Sequence, residues 1–272
     1  MTWEETVIQF RLQPENKQIA SDAYLEEDII KNVERFRKSE EWIETLKELR
    51  SYIKESKKVK ILDIGAGNGI SSIAFALEGY EIVALEPDKS NTVGSGAIKI
   101  LAKHFKLKNI TVIEAFGENL PFNDESFDVV YGRQVMHHAY NLEGFVQEAS
   151  RVLKKSGVFM TIRDHVIKNK KDKDRFLLLH PLHKYYGGEN AFLFTEYKGA
   201  IEKAGLRIMK VLTPSQSPIN YSPWNKERMA EVITTKFGSV FSNYLSVNLL
   251  WIINKYRLEA RPGRIYSFIA EK

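Results

Sequence analysis

The chain has 272 residues, 40 Lys and Arg against 35 Asp and Glu, and a formal net charge of +5, which fits one large domain or a domain with an appended lid. It contains no cysteine, excluding disulfides, thiolate catalysis and cysteine-based zinc or iron-sulfur sites. Acids nearly match bases and no basic stripe with interleaved aromatics stands out, so nucleic acid is not an expected partner.

The start, Met1-Thr2-Trp3-Glu4-Glu5, lacks the basic and apolar segments of a secretion signal. No apolar run nears the ~18 residues of a membrane span, so a cytoplasmic protein without membrane contact is expected. Residues 1–56 read as a helical cover: Ser21 to Ser56 carries Val33, Phe36, Trp42, Leu46, Leu49 and Ile53 at mostly helical spacing, two or so helices. Val59 to Gly69 then runs Val-Lys-Ile-Leu-Asp-Ile-Gly-Ala-Gly-Asn-Gly, a strand passing through Asp63 into a glycine turn that opens a helix. Gly65, Gly67 and Gly69 lack a Cβ and tolerate positive φ, so backbone there can approach a ligand closely. The nicotinamide fingerprint would need a third glycine where Ile70 stands. With Asp63 placing a carboxylate beside the turn, a cationic ligand fits better than a pyrophosphate. A second strand, Glu81 to Leu85, ends at Glu86, roughly 20 residues past the glycines, where a carboxylate accepts ribose hydroxyls. Pro87 and Asp88 then break the chain.

A helix over roughly Ser90 to Phe105, a strand Ile110 to Glu114 and a fourth strand Phe127 to Tyr131 follow. Asn141 can cap a helix to Leu153, and Val158 to Ile162 makes the fifth strand. Arg163, Asp164 and His165 come directly after it and should face a cleft. The run Lys168 to Arg175 reads as a solvated linker. Thr195 caps a helix through Ala204, Arg207 to Leu212 is the sixth strand, and Arg264 to Ala270 the last. This alternation predicts an α/β, Rossmann-like doubly wound sheet of seven strands covered on both faces. Residues 213–257 hold Pro214, Pro218 and Pro223, a helical Lys226 to Lys236 and an apolar Val240 to Ile253. So long an insertion is expected to fold as a lid or substrate cap.

Gly117 to Val130 reads Gly-Glu-Asn-Leu-Pro-Phe-Asn-Asp-Glu-Ser-Phe-Asp-Val-Val, followed by Tyr-Gly-Arg-Gln-Val-Met-His-His. With these motifs the chain resembles the class I S-adenosylmethionine-dependent methyltransferases, in particular the small, metal-independent subgroup with Leu-Pro-Phe, Ser-Phe-Asp and His-His signatures. The resemblance spans about Lys57 to His165. It implies that residues 57–272 form the methyltransferase domain, that S-adenosyl-L-methionine is the cofactor, and that the last strand is antiparallel. By the same resemblance, Gly65, Ala66 and Gly67 lie against the methionine part, and Gly69 is a further cofactor-binding residue of the turn. Asp63 orients the turn or the amino group, Glu86 holds the ribose, and Pro87, Gly117 and Glu118 border the adenine. The backbone of Arg133 and Gln134 lines the methionine and sulfonium. Phe116 stands where the family often has Asp and is read as a stacking surface for adenine. Tyr24, Arg35 and Phe36 are candidate contacts from the N-terminal cover; the competing reading packs that helix on the sheet edge with Arg35 in solvent.

Methyl transfer from a sulfonium is an in-line displacement carried largely by positioning, and a base is useful when the acceptor is a hydroxyl or protonated amine. His137 and His138 are the first candidates, either facing the acceptor or serving the loop structurally, and His165 beside Asp164 is the next. No metal is expected: His180 and His183 have no carboxylate at helical ligand spacing. Tyr185, Tyr186, Glu189, Asn190 and Phe192 around Gly187-Gly188, and Pro218 to Trp224, either border the acceptor pocket or are plain packing. The leading expectation is methylation of an oxygen, nitrogen or carbon of a small molecule. An RNA-base methyltransferase and a non-catalytic binder of the same cofactor are the alternatives, and the oligomeric state stays open.

Overall fold

The computed structural model describes residues 2–53, 58–186, 188–237 and 247–272. The expected boundary at 56/57, Gly187, and residues 240–246 of the expected apolar run lie outside the described residues. The helices α1 (Trp3–Leu12), α2 (Lys17–Asp22), α3 (Ile29–Arg37) and α4 (Glu40–Tyr52) come first. A Thr2/Glu5 capping box opens α1, and Ser39 caps α4 by accepting from the Trp42 N–H at 3.1 Å. The strands are β1 (Lys60–Ile64), β2 (Glu81–Leu85), β3 (Ile110–Ile113), β4 (Phe127–Arg133), β5 (Leu153–Ile167), β6 (Phe192–Leu193), β7 (Arg207–Leu212) and β8 (Arg264–Glu271). Their order is β3-β2-β1-β4-β5-β8-β7, with β8 antiparallel to both neighbours and the short β6 paired with β5. The sheet therefore holds one strand more than the seven expected. Strand order reverses between β1 and β4, where ligands of open α/β sheets collect.

Period-two alternation sends side chains to two cores. Ile61, Ile82, Ala84, Val129 and Met160 join α3, α4, α5 (Ile70–Leu77) and α6 (Ser95–His104) on one face. Leu62, Ile64, Val83, Val130 and Phe159 meet α7 (Leu142–Val152) on the other. Later helices are α8 (Lys170–Leu179), α9 (His183–Tyr186), α10 (Phe194–Lys203), α11 (Pro218–Tyr221), α12 (Lys226–Phe237) and α13 (Val247–Ala260). Among the described residues no helix is long and apolar enough to cross a membrane.

Several expected elements shift for identifiable reasons. Residues 168–175 are not a linker: Asn169 accepts from the Asp172 N–H at 2.9 Å while the Asp172 carboxylate accepts from the Lys168 N–H at 2.8 Å, and α8 starts there. The sixth helix starts at Ser95 rather than Ser90, because residues 88–94 close a loop in which the Ser95 N–H donates to Asp88 O at 2.7 Å. Thr195 lies inside α10, whose N-cap is Leu193, with its N–H held by Glu196 at 2.6 Å. The fifth strand does not end at Ile162. It pairs with β8 through Val166, and between Thr161 and Asp164 it carries one extra residue, with Arg163 at φ +64.

Candidate active site

A cleft of about 770 Å³ opens at the C-terminal ends of β1, β2, β4 and β5, within the ~300–1,000 Å³ of small-molecule sites. Its first half is built by the glycine turn. Gly65 has φ +65, and a Cβ there would stand 2.2 Å from Val135 Cγ2, so only glycine lets the turn close on β4. Gly67 has φ +55 but a Cβ would meet nothing within 4 Å: the space beside it belongs to the cleft. Gly69, at φ +83, is the N-cap of α5 and does not line the cleft.

Asp63, next to last in β1, is buried and accepts a 2.5 Å hydrogen bond from Ser72 on α5. Burial pushes its carboxyl up to about 7 in spite of that bond. Glu86, just past β2, accepts from the Gly67 N–H at 2.7 Å and the Asp88 N–H at 2.9 Å; burial again raises its pKa. Pro87, Phe116, Gly117 and Glu118 line the same end. The Phe116 ring is 69% exposed, an apolar plate facing the opening. Gly117 is required where a Cβ would run into Phe145 Cε2 at 2.4 Å.

At the end of β4 and at the bulge within β5 two arginines share one carboxylate, Glu41, that no sequence pattern singled out. Arg133 Nε and Nη2 donate to Glu41 at 2.6 and 3.2 Å, and Arg163 Nη1 lies 3.4 Å from the same side chain. Burial opposes the charge on Glu41, yet the two guanidiniums hold it below the usual carboxylate range. Arg163 also donates to the carbonyls of Ile219 and Ser222 at 2.7 and 3.0 Å, tying the strand bulge to α11 and the residue after it. Gln134 takes φ +53 and donates its N–H to Ile162 O at 2.8 Å, which aims it and Val135 at the cleft.

The second half of the cleft gathers histidines. His137 is buried, its Nδ1 donating to Asp164 Oδ1 at 3.0 Å and its backbone N–H to the same oxygen at 3.1 Å. Burial and the neighbouring histidines keep His137 well below its ordinary pKa, and burial raises Asp164 to about 7. Asp164 thus orients His137, not His165. His165 instead donates from Nδ1 to Gly263 O at 2.7 Å, and burial pushes it down to about 3. His138 has a 42% exposed side chain and donates from Nδ1 to Gly188 O at 3.2 Å. Glu189 supplies the carboxylate that the expectation about His180 and His183 lacked: His180 Nδ1 lies 3.7 Å from Glu189 Oε1. Asn220, Tyr221 and Trp224 complete this end, while Phe192 pairs into β6.

Residues of the N-terminal segment line the cleft, but not the ones expected. Tyr24 and Phe36 are buried in an edge-to-face pair at 5.3 Å, and Arg35 pairs with Glu26. Trp3, Ile19, Asp22, Ala23 and Leu25 line the cleft instead. The Thr2-x-x-Glu5 pattern, a helix start signal ahead of Trp3, was the available clue.

Residues 62–161 match the family model described as "Methyltransferase domain". This segment, under half of the chain, is similar to methyltransferase domains, and the sheet that carries it is of the Rossmann-like α/β kind. Among curated relatives, "Uncharacterized methyltransferase YcgJ" of Bacillus subtilis is 32% identical over 106 residues, 39% of this chain and 40% of that protein. The "Ubiquinone biosynthesis O-methyltransferase" of Pelagibacter ubique is 31% identical over 135 residues, 50% of this chain and 48% of that one. The chain thus spans under half the length of these relatives. In fold, it superposes on the geranyl diphosphate C-methyltransferase of Streptomyces coelicolor, solved with Mg2+, geranyl diphosphate and S-adenosyl-L-homocysteine. The TM-score is 0.60 with 15% identity, covering 92% of this chain and 86% of that one.

Proposed function

We propose that this chain is an S-adenosylmethionine-dependent methyltransferase that methylates an oxygen, nitrogen or carbon atom of a small-molecule acceptor. The observation that carries the reading is Gly67, whose missing Cβ leaves open space in the cleft that Asp63 and Glu86 also line, with Glu86 accepting from its N–H. When bound, the cofactor supplies an electrophilic methyl on a sulfonium. The chain's part is to hold and orient. Asp63 faces the cationic amino group and Gly65, Ala66 and Gly67 the methionine backbone. Glu86 keeps lone pairs for the ribose hydroxyls beyond those taken by Gly67 and Asp88. Phe116 stacks on the adenine, edged by Pro87, Gly117 and Glu118, while Arg133 and Gln134 present backbone to the sulfonium. His137 and His165, held neutral by burial, and His138, at the solvent edge, face the acceptor and orient it. Residues 1–56 serve as the cover, 57–272 as the catalytic domain and 213–257 as its substrate cap.

Calorimetric titration with S-adenosylmethionine and with NAD tests the donor half: the former binds, the latter does not, and Asp63→Ala or Glu86→Arg abolishes binding. Undiminished binding in both variants would sink the site assignment. A metabolite extract supplied with labelled methyl donor then shows which small molecule takes up the label.

A further inference from the structure

Three imidazoles converge on one carboxylate in the acceptor half of the cleft. His137 Nε2 and His138 Nε2 lie 3.8 and 3.9 Å from the same oxygen, Glu189 Oε2, and His180 Nδ1 lies 3.7 Å from its other oxygen. These separations are too long for hydrogen bonds. Among the described residues His180 Nδ1 has no hydrogen-bond partner, although it is buried. The far nitrogens of the first two rings are already committed, His137 Nδ1 to Asp164 and His138 Nδ1 to Gly188 O. Each ring therefore turns an Nε2 lone pair toward Glu189. A carboxylate or carbonyl fixing the outer nitrogen is how metal-ligating histidines are set.

We propose that His137, His138 and Glu189 form a binding site for a divalent first-row transition metal ion of the zinc, iron or manganese kind, with His180 at its side and a coordination position open to the cleft. The ligand atoms of the three lie within 4.8 Å of one another. Bonds of ~2.0–2.1 Å set tetrahedral ligands about 3.4 Å apart, so closure on an ion needs side-chain shifts on the order of 1 Å. Two nitrogens and one carboxylate oxygen suit such ions better than magnesium or calcium, which prefer oxygen alone. The open position would take an oxygen or nitrogen of the methyl acceptor. That role rests on the function proposed above; the ion site rests on the geometry alone.

The untagged full chain, stripped with chelator, is titrated with Zn2+ by calorimetry, and ions retained after gel filtration are counted by mass spectrometry. One ion per chain is expected. Both Glu189→Gln and His138→Ala should weaken binding at least ~10–100-fold, the cost of losing even an outer partner. S-adenosylhomocysteine affinity in the same variants should stay within about 2-fold, as for separate sites. His138 is half-exposed, so its alanine variant keeps the fold, and circular dichroism melts check both proteins. A wild-type chain that takes up no zinc, or a Glu189→Gln chain that binds it unchanged, overturns the site. Zinc bound without any cofactor binding upholds the ion site and removes the basis for its role toward a methyl acceptor.

Discussion

The two halves of the cleft are made in opposite ways. The donor half is assembled from short contiguous stretches, residues 63–67, 86–88 and 116–118, and much of its surface is backbone held close by glycine. The other half is assembled from side chains far apart in sequence: His137 and His138 after β4, Asp164 and His165 on β5, Glu189 ahead of β6, and Asn220 to Trp224 in the stretch that holds α11. A backbone cradle recognises what every ligand of one kind shares. A side-chain cluster is free to vary, so the function proposed above assigns specificity to the second half and the common cofactor to the first.

The strongest way to break this division is at the carboxylate that joins the halves. Glu41→Ala strands the Arg133 and Arg163 guanidiniums without their shared partner and should cost ~3–5 kcal/mol in urea melts, as for other broken buried pairs. A loss below about 1 kcal/mol, the worth of a surface pair, would mean the cluster ties nothing together.

Asp63 gives the next effect. Its carboxyl is raised to about 7 in the folded chain, so between the unfolded value near 4 and pH 7 the folded state holds the extra proton. Its contribution to stability is whole below pH ~4 and falls by about 1.4 kcal/mol per pH unit until pH 7, some ~4 kcal/mol in all. Asp63→Asn should flatten the stability profile over that window relative to wild type. Cofactor binding near pH 6 should release a proton from wild type and not from the variant, which calorimetry in buffers of different ionisation enthalpy would detect.

Two neighbouring glycines sharpen the comparison. Gly65→Ala combines positive φ with collision against Val135 and should lower stability by about 2–4 kcal/mol. Gly67→Ala meets no protein atom within 4 Å, so it should cost only ~1–2 kcal/mol from φ yet abolish cofactor binding. Equal cofactor affinity in Gly67→Ala and wild type would remove that turn from the site. The smallest change is Trp224→Ala in the cap: the ring is 38% exposed and lies under the Arg228 guanidinium at 4.6 Å. Its removal should cost about 0.5–1 kcal/mol, leave cofactor affinity alone and raise KM for the acceptor.

The same contrast explains what was legible beforehand. Asp63, the glycines and Glu86 could be named from the strand-turn motif and its spacing, whereas Phe116 to Glu118 were named only through the family resemblance. The doubly wound sheet followed from alternation, and the antiparallel final strand from the family resemblance. The Asp164–His137 pair could not be read, since strict alternation says nothing about partners 27 residues apart. Glu41 looked like one acid among several at the start of α4, and only the fold shows it buried between two arginines. Glu189 likewise carries no helical spacing to His180 that a pattern would catch. The Asn169-x-x-Asp172 start of α8 was readable in principle but was outweighed by the charge run around it.

The extra residue in β5 has a consequence for how this protein tolerates change. Past Thr161 every side chain sits one step out of phase with the strand before it, and that offset is what places the Arg163 guanidinium near Glu41 and Asp164 beneath His137. Deleting one residue there would leave the rest of the strand unchanged in sequence and exchange the faces of its downstream part, so a change of length in this stretch reshapes the pocket in a way that no single substitution does.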